Sequence, residues 1–178
     1  MRGRWILLVP AAALAPASLT AYAVSYLSIE QAQLQMFPGE SLAPAFVNLS
    51  DEQLRQIEAR SGVDVRRREV RLWKSSGGGW FIADDVVGKH EFIVFALALT
   101  AEGMVRQIEV LDYRESYGGQ VREAGWRAQF AGKTAADPVR LGADIRNISG
   151  ATLSSKNLTN GVRRLLAFYE VVLKRGTR

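Results

Sequence analysis

The sequence predicts an α+β fold, a mainly antiparallel sheet flanked by helices. Three observations carry this. Two Ser-x-x-Gln capping signatures open helical segments early in the chain, at Ser28–Gln31 and Ser50–Gln53. Apolar and β-branched runs separated by glycine turns fill the middle. A long amphipathic segment ends the chain, with Leu158, Val162, Leu165, Leu166, Tyr169 and Val172 or Leu173 on one face. Strands lying between terminal helices favour antiparallel pairing over alternating βαβ units.

The elements follow in order. After Ser28, Ile29, Ala32 and Met36 keep helical spacing, and Pro38-Gly39 ends the helix. After Ser50 come Leu54, Ile57 and Ala59, with Gly62 as the C-cap. Val63–Trp73 interleaves β-branched residues with charges and reads as a strand with one exposed face. Gly77-Gly78-Gly79 is a turn. Trp80–Val87 and Phe92–Leu99 are strands on either side of Gly88-Lys89. Ala101-Glu102-Gly103 turns into a strand over Val105–Tyr113, where Ile108 and Val110 share a face. Trp126–Phe130 is a short helix and Pro138–Asp144 a connection. Ser154 or Ser155 can cap the final helix, and Lys174-Arg175 suits its C-terminal end.

Residues 1–23 read as a secretory signal: Arg2 and Arg4, then an apolar stretch, then Ala21-Tyr22-Ala23. The alternative is an uncleaved membrane anchor. Either places the remainder outside the cytoplasm, in the periplasm or on the outer face of the cytoplasmic membrane. The expected organisation is therefore a signal over 1–23, a helical and strand region over 24–78, and a core over 79–178 of the same domain. Without residues 1–23 the chain keeps 21 basic against 18 acidic residues, a balance of +3. Such a charge gives no reason to expect nucleic acid. Arg66-Arg67-Arg68 reads as a solvated strand or loop face, with an anionic membrane surface as the alternative.

Of 178 residues, none is Cys and one is His. This excludes disulfide scaffolds, thiolate nucleophiles, cysteine-ligated clusters and a paired-His metal site within one chain. Redox or transfer chemistry must come from hydroxyls, carboxylates, basic side chains or a borrowed cofactor.

The segment with chemical potential is Ser149-Gly150-Ala151-Thr152-Leu153-Ser154-Ser155. Small residues and hydroxyls precede a long helix, whose N-terminus offers unpaired N–H groups and a positive dipole end to a phosphate. Taken alone, the same residues could simply cap the helix. No Walker A loop is present, and Leu153 rather than Ser stands three residues before Lys156.

The Ser-Gly-Ala-Thr loop and the amphipathic helix after it resemble the FMN-binding domain family. Its members include flavinylated subunits of the Rnf complex and of the sodium-translocating quinone reductase. The resemblance implies FMN esterified through its phosphate to Thr152 by a magnesium-dependent flavin transferase that uses FAD as donor. Ser149, Gly150 and Ala151 would form the open approach. Glu115-Ser116-Tyr117-Gly118 stands where the family has a Glu-Thr-Pro-Gly-like stretch, which implies Glu115, Tyr117 and Gly118 as further cofactor-binding residues. The likeness extends from Gly79 to Leu173. One position departs from the family pattern D-x-x-[ST]-G-A-[TS]: Arg146 replaces the acid, and Asp144 lies two residues earlier.

The implied function is an exported electron carrier serving membrane redox proteins. The alternative is a binding or assembly subunit that keeps the fold without flavinylation. An independent flavin reductase would need a nicotinamide site, and no dinucleotide fingerprint is visible. No catalytic residue and no metal site is expected. Other residues have two readings each. His90 could meet the reduced flavin or be an ordinary surface residue. Tyr117 and Trp126 could stack on the isoalloxazine or pack into the core. Glu115 could contact the flavin or cap a loop. Asp84-Asp85 should point to opposite faces, in a solvated turn rather than a carboxylate pair. Asn48, Asn147 and Asn157 open glycosylation sequons, which arise often by chance.

Overall fold

The computed structural model describes residues 27–174; the predicted signal and residues 175–178 lie outside them. The fold is α+β. Helix α1 (Ile29–Met36) precedes the short strands β1 (Leu42–Pro44) and β2 (Val47–Asn48). Helix α2 (Asp51–Ser61) leads into β3 (Glu69–Ser75), β4 (Trp80–Val87), β5 (Phe92–Leu99) and β6 (Val105–Tyr113). A short helix α3 (Ala124–Arg127) lies between two single-turn 3-10 segments. Helix α4 (Thr152–Phe168) ends in a π-helical turn over Tyr169–Leu173.

All strand pairs are antiparallel, in the order β1-β3-β4-β5-β6. Strands β1 and β2 lie in succession along one edge of β3, with Pro44 on that edge. Both capping boxes form as predicted, and Gly62 closes α2 in the left-handed conformation at φ 64°. The period-2 alternation of the strands creates two cores. Ile82, Phe95, Leu97, Ile108 and Val110 face α4 and α2. Phe81, Ala83, Ala96, Ala98 and Leu111 face α1 through Ala32, Met36 and Phe37.

Gly161 lets α4 come close to the sheet. A Cβ there would lie 2.7 Å from Val86 Cγ1 and 3.0 Å from Phe95 Cζ. Its cost in helix propensity, about 1 kcal/mol, is offset by that contact.

Four expectations are corrected. Residues 63–68 are not strand. Their side chains turn to partners on other elements: Arg67 and Arg66 to Asp85 at 2.8 and 3.5 Å, and Arg68 to Asp51 at 2.5 Å. Ala59 is exposed, and Ser61 takes the buried place on α2, its hydroxyl donating to the Ile57 carbonyl. Asp84 and Asp85 sit in β4, not in a solvated turn. They do face opposite sides, where Asp84 accepts from the buried Arg164 at 2.6 Å while Asp85 takes the two arginines. Finally, α4 starts at Thr152, so Ser154 and Ser155 are buried in its first turn rather than capping it.

Candidate functional site

The loop before α4 is fixed from behind. Trp126 donates its Nε1–H to the Arg146 carbonyl at 2.8 Å, and Gln129 Oε1 accepts from Arg146 N–H at 2.9 Å. Trp126 is buried and meets Phe130 edge-on with centroids 5.2 Å apart, so its role is in the core. Asp144 holds the preceding turn by accepting from Val139 and Arg140 N–H, and it pairs with Lys133 at 3.0 Å. Burial pushes the Asp144 carboxyl upward, but these donors outweigh it and hold it below its ordinary value. Asp144 is thereby committed to its own turn.

The loop over 149–152 itself is open. Gly150 adopts φ 79°, and nothing lies within 4 Å of a Cβ placed on it. Ser149, Gly150 and Thr152 are exposed, whereas Ala151 is buried. The Thr152 hydroxyl lies 3.5 Å from Asn147 Nδ2, and Asn147 is tied to Ser155 Oγ at 3.0 Å.

The 115–118 loop meets this loop through Gly118. Its φ is 88°, and its Cβ position is 3.5 Å from Ala151 Cα, 2.9 Å from Ser154 Oγ and 2.7 Å from Tyr113 Oη. Tyr113 donates to the Tyr117 carbonyl and lies 3.1 Å from Ser154 Oγ. One hydroxyl pair thus joins β6, the 115–118 loop and the first turn of α4. A cleft of about 560 Å³ opens beside it, lined by Tyr113, Glu115, Tyr117, Gly118 and Arg122. Tyr117 is 83% exposed and Leu153 49% exposed, so both present apolar surface to solvent.

Glu115 takes the loop-capping role. Its Oε1 accepts from His90 N–H at 2.6 Å and Glu91 N–H at 3.0 Å, pinning the β4–β5 turn. Burial raises its carboxyl, but the backbone donors of Glu91, His90 and Lys89 outweigh that and hold it below the usual range. The His90 ring is exposed.

Sequence reasoning placed Ser149 through Thr152 and Tyr117-Gly118 in one region, and the structure brings them together. Tyr113, Asn147 and Gln129 also support that region, and Ser154 does so as a buried partner rather than a cap. Asn147 had a signal, since it opens a sequon inside the loop, but that pattern points to glycosylation rather than to a hydrogen bond.

Residues 88–167 match the family model described as FMN-binding domain. Over those residues the chain is similar to FMN-binding domains. No curated protein matches it. The match supports a flavin-binding role with FMN as cofactor. It spans every residue just described around the 149–152 loop.

The residues present suit that cofactor. Helices α1 and α2 close their N-termini with complete capping boxes, whereas Ala151 gives α4 no side-chain cap. The first N–H groups of α4 are therefore left for a phosphate, beside an exposed hydroxyl that can be esterified.

Proposed function

We propose that this protein is an exported electron carrier with FMN joined through its phosphate to Thr152. The observation that carries the reading is an exposed Thr152 hydroxyl at the uncapped start of α4, inside a segment that matches the FMN-binding domain. A flavin transferase with FAD as donor would form the Oγ1–phosphorus bond. The bond between the two FAD phosphates breaks, AMP leaves, and the hydroxyl proton passes to solvent or the transferase. Bound FMN supplies the one-electron chemistry; this chain supplies attachment, orientation and electrostatics.

Each residue has a part. Gly150 leaves room for the transferase to reach Thr152. The first N–H groups of α4 offset the phosphate charge. Tyr117 and Leu153 offer apolar surface to the isoalloxazine, and the Tyr113–Ser154 pair keeps the two loops in register. A covalent link suits a location outside the cytoplasm, where a dissociating cofactor would be lost; the basic and apolar N-terminal segment supports that location. The donors and acceptors would be membrane redox proteins.

One observation favours a second reading, a binding or assembly subunit without flavin: Arg146 replaces the family's acid, and Asp144 is committed to its own turn. A single experiment separates the two. The chain is co-expressed with an active flavin transferase and its intact mass measured. The carrier reading expects an added mass of one FMN less one water, fluorescence after denaturing electrophoresis, and loss of both in Thr152→Ala. No adduct on the wild-type chain, or an adduct that survives Thr152→Ala, refutes it.

A further inference from the structure

A second cleft shares no lining residue with the one beside Tyr117. It has a volume of about 250 Å³ and lies between the last turn of α2, the C-terminal half of α4 with the turn after it, and the loop over 134–140. Its charged lining is Arg60, Arg140, Arg163, Asp137 and Glu170. The two acids are satisfied locally. Asp137 Oδ2 accepts from Thr134 N–H at 2.8 Å and from its hydroxyl at 2.9 Å, and Glu170 pairs with Lys174 at 2.9 Å. Among the described residues, no carboxylate pairs with Arg60, Arg140 or Arg163.

Arg163 is held in place from the protein side. Its Nε–H donates to the Ser61 carbonyl at 2.7 Å and Nη1 to the Val139 carbonyl at 3.2 Å. Burial and the nearby charge of Arg140 both push its pKa down. Three guanidiniums against two locally bonded carboxylates leave the lining with a net positive charge, which favours an anion there.

The loop carrying Arg140 is also held in an uncommon shape. Val139 is buried, and its φ of 42° is rare for a β-branched residue. Asp144 enforces that shape by accepting from the N–H groups of Val139 and Arg140 at 3.1 and 2.8 Å. A backbone outlier maintained by its surroundings is a reason to look for function beside it.

We propose that Arg60, Arg140 and Arg163 form a binding site for a phosphoryl group, carried either by a soluble phosphate compound or by an anionic lipid headgroup. Guanidinium forks match the several acceptor oxygens of such a group. The cleft is smaller than the roughly 300–1,000 Å³ of small-molecule pockets, so it suits the headgroup and not a whole nucleotide.

The test uses the full chain, with its flavin content matched between samples. Inorganic phosphate is titrated calorimetrically at low ionic strength. Saturable binding is expected, weakened about tenfold in Arg60→Gln and in Arg140→Gln and less in Arg140→Lys. Added salt should weaken it further. Phosphate binding that neither Gln variant alters would lie elsewhere, for example at α4, and overturns the proposal. So does absence of saturable binding by the wild type. A second arm compares retention on phosphatidylglycerol and phosphatidylcholine vesicles. The N-terminal apolar segment can bind both, so only the phosphatidylglycerol excess is scored. Its loss in the Arg60→Gln/Arg140→Gln double variant assigns the lipid source; phosphate binding without that excess assigns the soluble one. Thermal midpoints check folding. If a Gln variant is unfolded, Arg140→Lys decides: wild-type affinity there refutes the site.

Discussion

Replacing Gly118 by Ala tests the junction between the two loops. The added Cβ would stand 2.7 Å from Tyr113 Oη and 2.9 Å from Ser154 Oγ, inside van der Waals contact with both. The position also holds φ 88°, a region that costs an L-residue about 1–2 kcal/mol. Moving the Tyr113 hydroxyl gives up its bond to Tyr117 and its contact with Ser154, each worth about 1 kcal/mol. The expected loss of stability is about 2–4 kcal/mol. It is read from urea unfolding followed by circular dichroism, with an unchanged m-value. Gly125→Ala is the control: that glycine is exposed in α3 with nothing within 4 Å of its Cβ position, so its replacement should be neutral or slightly stabilising. If the two variants unfold at the same urea concentration, the Gly118 junction does not bear on the fold.

Two further outcomes are expected. The Glu115 pKa is held below its ordinary value of 4.5, so its charge stabilises the fold. That contribution is complete above the unfolded-state value and disappears as pH falls through the folded-state value. Thermal midpoints of the wild type and Glu115→Gln should therefore differ near neutral pH and converge as the pH falls through the folded-state value; a gap that widens in acid contradicts the assignment. Arg164→Met leaves Asp84 without its partner on the sheet face under α4, and should cost about 2–3 kcal/mol in urea unfolding, with part recovered on adding Asp84→Asn. A loss below about 0.5 kcal/mol would place that ion pair among the solvent-screened ones.

Local chemistry made much of the fold legible. The capping boxes at Ser28 and Ser50 are closed within four residues, and the limits of β4, β5 and β6 follow from glycine turns and apolar alternation. What could not be read depends on distant partners. Strands β1 and β2 are three and two residues long and exist because β3 offers an edge. Residues 63–68 have a strand-like pattern, but their arginines are claimed by Asp85 and Asp51 from other parts of the chain. Ser154 looks like a cap in sequence; Tyr113, 41 residues away, gives it a buried partner instead. The same holds at the site. The Ser149–Thr152 loop is contiguous and visible, whereas the Gly118–Ala151 contact and the Trp126–Arg146 bond span the fold.

The close seating of α4 bears on how a carrier of this kind would work. Gly161 fixes the helix against Val86 and Phe95, and Thr152 lies nine residues earlier on the same helix, about 14 Å along its axis. A group mounted at Thr152 would be anchored to a helix packed on the sheet and not to a swinging arm. Its distance from a docked donor would then be set largely by the orientation of the whole domain.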